Sequence, residues 1–226
     1  MKRGANASSP STLRAILIPV KSFANAKQRL ASRLSLHQRA ALARAMMEDV
    51  FAVAGQVRGV ERVFVVSNEP HALAQASARG WESITETAQH SESASVDLAS
   101  QTCAERGASA VLRLPADLPL VTPADLEALF AELDRPPEAV LVPSRGGTGT
   151  NALLRSPAVL FPSRFGPGSF ALHQEEARRA GARIRVVRNP RIEFDVDDAQ
   201  DLADLPGQKG IGPATLDWLA KLGLQV

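Results

Sequence analysis

The stretch SAVLRLPADLPLVTPADLEALF, residues 109–130, holds an apolar run, a proline-bounded acidic loop and a capped helix start, in that order. SAVLRLP reads as a short buried strand, rich in Val and Leu and closed by Pro115. Pro115-Ala116-Asp117-Leu118-Pro119 then places Asp117 just past the strand's carboxyl end, the edge at which open α/β sheets bind ligands. Thr122 can cap the next element, Pro123 fits a first helical turn and Asp125 suits the positive helix end, so a helix through Leu126, Leu129 and Leu133 is expected.

Four further runs, RAILIPV, VERVFVV, EAVLVPS and ARIRVV, alternate with helical segments in the same way. That pattern predicts an α/β fold, a mainly parallel central sheet flanked by helices. Ser35 with Gln38 forms a capping box before QRAALARAMMEDVFAVAGQV. Leu42, Met46, Val50, Val53 and Val57 follow at helical spacing and are expected to face the sheet. Met46 and Met47 read as core.

The 226 residues, 45% hydrophobic and 22% charged, fit one soluble domain. MKRGANASSPST has a basic pair without an apolar segment behind it, and no run of about 18 apolar residues occurs. A cytoplasmic protein is expected, without a membrane partner. Residues 1–13 read as a flexible tail, 14–205 as the domain and 206–226 as a helical extension docked on it. Cys103, the one cysteine, lies in the helical LASQTCAERG; it excludes an internal disulfide and reads as packing. The net charge of +2 is spread over scattered basic residues, which gives nucleic-acid binding little support.

The chemistry concentrates in EFDVDDAQD, residues 193–201, with five carboxylates in nine positions. Read as the end of a strand, it puts Glu193, Asp195 and Asp197 on one face and Phe194 and Val196 on the other. Neighbours on that face are roughly 6.5 Å apart, close enough for two carboxylates to share a divalent cation. Asp197 or Asp198 capping the helix DDAQDLADL is the structural alternative, as is a plain turn at Asp117. Taken together, Asp117, Asp195 and Asp197 make an oxygen-only site suited to Mg²⁺, whose other positions water and phosphates usually fill.

Phosphate-binding features lie elsewhere. Gly166-Pro167-Gly168-Ser169 opens the helical stretch FGPGSFALHQEEARRAG, and amides at such a start can hold an anion. SRGGTGTNALLR is a Gly-rich loop running into Thr150 and Asn151, without the Gly-Lys-Ser/Thr ending of a P-loop. Lys21, Lys27, Arg29 and Arg33 fall within thirteen residues after the first strand, a cluster suited to a triphosphate. Ser67 and Asn68 are nucleoside contacts by strand-end position alone. His37, His71, His90 and His173 read as surface or cap-adjacent, and no nucleophilic triad or zinc spacing is present.

LIPVKSFANAKQRLA, LPADLPLV, GTGTNALL, FGPGSF.LH and FDVDDAQDL, in this order over residues 14 to 205, resemble the 2-phospho-L-lactate guanylyltransferase family of coenzyme F-420 biosynthesis. Its relatives act on phosphoenolpyruvate or 3-phosphoglycerate. The resemblance implies a GT-A-like nucleotidyltransferase fold and transfer of GMP from GTP to a small phosphorylated carboxylic acid, with release of pyrophosphate. It also implies a homodimer. Carried over, Asp117, Asp195 and Asp197 hold two Mg²⁺ ions and Lys21, Lys27 and Arg29 steady the triphosphate. Thr150, Asn151, Gly166 and Ser169 hold the acceptor. A phosphate oxygen is already an anionic nucleophile, so the missing general-base signature agrees. One departure is Asp97, in ESASVDLAS, where many relatives carry Asn in a block assigned by position to the nucleotide pocket.

Two other readings compete. Nucleotidyltransferases acting on sugar phosphates or molybdopterin carry a Gly-rich loop after the first strand, where this chain has Pro19-Val20-Lys21. GQKGIGPATLDWLAKLGLQV, residues 207–226, resembles a helix-hairpin-helix DNA-binding turn. Only Lys209 and Lys221 are basic there, and Leu216, Leu219 and Leu222 read as a docking stripe.

Overall fold

The computed structural model describes residues 13–86 and 91–223, so the tail before residue 13 and His90 lie outside the described residues. Seven strands, β1 (Arg14–Val20), β2 (Arg62–Ser67), β3 (Glu82–Thr85), β4 (Ala110–Arg113), β5 (Glu138–Pro143), β6 (Thr150–Ser156) and β7 (Arg183–Val186), form one sheet in the order β3-β2-β1-β4-β6-β5-β7. Every pair is parallel except those made by β6, which runs antiparallel to β4 and β5. The helices are α1 (Leu36–Ala54), α2 (Pro70–Ala78), α3 (Glu92–Glu105), α4 (Pro123–Ala131), α5 (Ser169–Arg179), α6 (Pro190–Glu193), α7 (Ala199–Asp204) and α8 (Pro213–Lys221).

Strand alternation divides the core. Ile16 and Ile18 face α1 and α4 through Val50, Phe51, Leu126 and Phe130. Ala15 and Leu17 face α3 through Val96, Ala99 and Cys103, which is the packing role expected of that cysteine. Burial, with Glu82 nearby, pushes the Cys103 thiol up to about 12, so it stays a neutral filler. The expected capping box of Ser35 with Gln38 forms on α1, and the expected Thr122 cap of α4 goes further, with Asp125 closing a second capping box.

Four expectations change. Thr150 and Asn151 do not end a loop but begin β6, a strand buried along its whole length. The EFDVDD stretch is not the end of a strand: β7 stops at Val186, and Glu193 closes the short α6. Asn189 caps that helix with its own side chain, which ends the extended run before the carboxylates are reached. Phe194 and Val196 nevertheless point inward and Asp195 and Asp197 outward, because the segment beyond is extended. Glu193 turns away and pairs with Arg188 at 2.7 Å.

The α1 stripe splits. Val50, Val53 and Val57 pack toward the sheet, whereas Leu42 and Met46 join Leu30, Leu120, Phe194, Val196, Trp218 and Leu219 in a second core. In α8 the docking residues are Trp218 and Leu219, with Leu222 beside them, while Leu216 stays 36% exposed. This second core fixes the site, since Leu30, Leu120, Phe194 and Val196 each lie within three residues of a candidate catalytic side chain.

Candidate active site

The sheet's strand order reverses between β1 and β4, so the segments leaving their carboxyl ends diverge and open a crevice. A cleft of about 490 Å³ lies there, lined by Lys21, Lys27 and Arg29 after β1, by Arg113 and Asp117 from β4 onward, and by Glu92 and Asp197. Lys21 and Arg29 are exposed at its rim. Arg33 does not line it.

Lys27 occupies the centre. Its backbone is left-handed, φ 51°, the one non-glycine residue so placed among the described residues. Such a conformation costs energy and survives where the surroundings enforce it. Leu30, fully buried, anchors the following turn, and Arg39 of α1 donates to the Ala26 carbonyl at 3.1 Å. The Lys27 side chain is 8% exposed, and its ammonium lies 2.6 Å from Asp117 Oδ2 and 2.9 Å from Asp197 Oδ1. Burial alone would discharge it, but the two carboxylates outweigh burial and raise its pKa, so it remains a cation.

The carboxylates respond differently. Burial raises the pKa of Asp197, but Lys27, then Arg29 and Arg113, outweigh it and the net shift is downward. Burial and the charges of Asp117 and Asp197 push Asp195 up to about 6. Asp117 and Asp197 thus share the Lys27 ammonium, whereas Asp195, whose side-chain contact is the Asn151 amide, feels the charge of both. Among the described residues no three His, Cys, Asp or Glu side chains close into metal-ligand geometry; the cation between Asp117 and Asp197 is Lys27 itself. An oxygen-only donor set of this kind still fits a hard divalent ion.

The second group of expected residues, Thr150, Asn151, Gly166 and Ser169, does not line the cleft but meets it through the Asn151 carbonyl, which accepts from Arg113 of the lining at 3.0 Å, and Asp195 likewise stands outside the lining. The Thr150 amide donates to Ser169 Oγ at 2.9 Å, and Ser169 N donates to the Gly166 carbonyl at 3.1 Å. Gly166 and Gly168 adopt φ of 125° and 71°, which a side chain would strain, and so form the turn that starts α5. Asn151 joins the two groups, its amide donating to the backbone of Ile192 and Glu193 and to Asp195 Oδ1 at 3.2 Å.

His173 corrects the reading of it as surface: it is fully buried, with Nδ1 2.9 Å from Thr150 Oγ1. Ser67 and Asn68 are not brought into the cleft. The Ser67 hydroxyl is buried and donates to the Val20 carbonyl at 2.6 Å, while Asn68 is exposed outside the lining. Asp97 does not line the cleft either. Its carboxylate accepts the Ser163 amide at 3.0 Å and pairs with the buried Arg155, tying α3 to the loop before α5.

Sequence reading missed Arg113 and Glu92. Arg113, 6% exposed, donates to the Asn151 carbonyl at 3.0 Å, pairs with Glu92 and lies 4.2 Å from the centre of the Phe165 ring. The available signal was an arginine inside the apolar run SAVLRLP, since a charge is not buried in a strand without partners.

Residues 14–226 match the family described as Guanylyl transferase CofC like. The phosphoenolpyruvate guanylyltransferase of Rubrobacter xylanophilus is 39% identical over 86% of this chain and 94% of its own length. The 2-phospho-L-lactate guanylyltransferase of Methanothermobacter thermautotrophicus is 33% identical over 93% of this chain and 91% of its own. Among solved structures, a nucleotidyl transferase from Methanothermobacter superposes with a TM-score of 0.61 at 14% identity, covering 93% of this chain and 99% of the other, a likeness of fold.

Proposed function

The chain belongs to the CofC-like guanylyl transferases, and on that premise we propose that it transfers GMP from GTP to phosphoenolpyruvate, 2-phospho-L-lactate or 3-phospho-D-glycerate. The observation that carries the reading is the meeting of Lys27 with Asp117 and Asp197 at the crevice where the sheet order reverses. A phosphate oxygen of the acceptor attacks the α-phosphorus of GTP. One P–O bond forms, the bond to the β-phosphate oxygen breaks, and pyrophosphate leaves with the electron pair.

No proton need be removed from the nucleophile, so the work is alignment and charge neutralisation. Lys21 and Arg29 at the rim and Lys27 within bear on the departing pyrophosphate. Asp117, Asp195 and Asp197 would hold Mg²⁺, which when bound offsets charge on the α-phosphate and the leaving group. Thr150, Ser169 and the turn at Gly166 receive the acceptor's phosphoryl group, and Asn151 ties that cradle to Asp195. No described helix is long and apolar enough to cross a membrane, and GTP as co-substrate fits a cytoplasmic setting.

The test is pyrophosphate release from GTP and Mg²⁺ with each of the three phospho-acids in turn, beside ATP and acceptor-free controls. Release with GTP and one acid supports the reading and identifies the acceptor. Silence with all three sinks it.

A further inference from the structure

We propose that His173 is a positioning residue that turns the Thr150 hydroxyl into a hydrogen-bond donor directed at the acceptor's phosphoryl oxygens. The inference rests on the functional reading above for the identity of the anion, but its geometry stands on hydrogen-bond directionality alone.

The Arg164 backbone amide donates to His173 Nε2 at 2.8 Å. An amide N–H can only donate, so Nε2 presents its lone pair and the ring proton resides on Nδ1. Nδ1 lies 2.9 Å from Thr150 Oγ1, so the imidazole donates and the hydroxyl accepts. The single proton of Thr150 must then point elsewhere, and among the described residues it has no acceptor. Ser169 repeats the arrangement, its oxygen accepting the Thr150 amide at 2.9 Å and its proton likewise without an acceptor. Thr150 and Ser169 are 6% and 2% exposed, so two nearly buried hydroxyls, one on the first residue of β6 and one on the first residue of the eleven-residue α5, hold unspent protons.

A fully deprotonated phosphoryl group accepts hydrogen bonds and donates none. With the opposite tautomer, Thr150 would donate to Nδ1 and turn only lone pairs toward the ligand, which would repel it. The surroundings hold the ring neutral. Burial, then Arg113, Arg155 and Arg164, push His173 down to about 3, and the Phe165 ring closes one side at 4.7 Å in an edge contact. Those arginines also favour an anion nearby.

The wild-type protein with ¹⁵N-labelled histidine gives a direct test. The proposal expects one histidine protonated on Nδ1 and unchanged from pH 5 to 8; protonation of His173 on Nε2 overturns it. Kinetics give the second test. In His173→Asn the amide nitrogen can take the place of Nδ1 and still donate to Thr150, whereas in His173→Gln it falls at Nε2 and cannot. His173→Gln is expected to raise the acceptor KM about tenfold or more, leaving the KM for GTP unchanged, and His173→Asn to restore most of the loss.

On a Thr150→Val background the His173→Gln change should add nothing to the acceptor KM. An unchanged acceptor KM in folded His173→Gln, or an effect that persists on that background, overturns the proposal while leaving the guanylyltransferase reading intact. Absence of GTP turnover in the wild type sinks that reading instead. Calorimetric titration with inorganic phosphate then decides the positioning role, with weaker binding to His173→Gln supporting it and no binding, or equal binding, overturning it.

Discussion

Lys27 Nζ lies 2.6 Å from Asp117 Oδ2, across 90 residues of sequence, and its reach to Asp197 makes it the counter-ion of the acidic cluster. Lys27 keeps a left-handed backbone, which costs energy, while its ammonium lies between the two carboxylates. Lys27→Met keeps the side chain's bulk and removes the charge. Turnover is expected to fall by about 10²–10³, while the Mg²⁺ concentration that half-saturates thermal stabilisation falls too, because the carboxylates have lost their internal cation. Calorimetry and a pyrophosphate assay on one preparation check both. A drop in turnover with weaker Mg²⁺ binding would instead make Lys27 a support of the metal site.

Arg113 is the residue most exposed to a conservative change. Its two terminal nitrogens serve different partners, the Asn151 carbonyl and Glu92, while its plane rests on Phe165. Lysine can satisfy one of these contacts and cannot stack as guanidinium does. Arg113→Lys is therefore expected to lower kcat/KM about tenfold or more, with the circular dichroism spectrum preserved. Wild-type kinetics in this variant would reduce Arg113 to a buried space-filler.

The long-range skeleton was legible because the apolar runs at residues 14–20, 60–66, 109–115 and 138–144 are short and nearly continuous, as strands buried on both faces of a mainly parallel sheet must be. The strand β6 was hidden behind three glycines at 146, 147 and 149, which announce a turn more loudly than TNALLRS announces a strand. Asp117 was legible because prolines bracket it at a strand end. His173 was not, because nothing in SFALHQEEARR distinguishes a buried imidazole from an exposed one; its place is decided by Thr150 and Arg164, brought in by tertiary folding. Asp195 and Asp197 were found for an inexact reason. Alternation of in and out holds in any extended segment, and it held here after the strand itself had ended.

Asp125 anchors that segment, accepting from Asn189 at 2.8 Å and from Arg191 Nε at 2.7 Å while capping α4 through Thr122. Burial opposes its ionisation, yet Arg191, Thr122 and Asn189 outweigh burial and pull the carboxyl down to about 2. The unfolded carboxyl titrates near 3.9, so the folded chain holds the proton less tightly. The stability from this group is complete above about pH 4 and lost as pH falls through about 2. Asp125→Asn is expected to cost about 2 kcal/mol at pH 7, with the gap to wild type closing between pH 4 and 2. Urea midpoints at pH 7 and 2.5 measure it, and a gap that stays constant with pH would remove ionisation from the account.

Gly212 links the tail to the acidic loop, its amide donating to the Pro119 carbonyl at 2.8 Å, two residues beyond Asp117. A Cβ there would fall 2.2 Å from Asp49 Cγ, and Asp49 is not free to retreat, since its carboxylate accepts the amides of Ala214 and Thr215 at 2.9 Å each. The Gly-Ile-Gly-Pro turn therefore has a packing explanation within this chain: Asp49 of α1 caps α8 from outside the helix, and only glycine lets it approach. Gly212→Ala is expected to destabilise by about 1–3 kcal/mol through overpacking, and Asp49→Ala by about 1–2 kcal/mol through the lost cap. Because both act at one contact, the double variant should be no less stable than Asp49→Ala alone. Strict additivity in denaturant titrations would show that the glycine is required elsewhere, and salt-sensitive retention of the wild-type chain on DNA would return the turn to nucleic-acid binding.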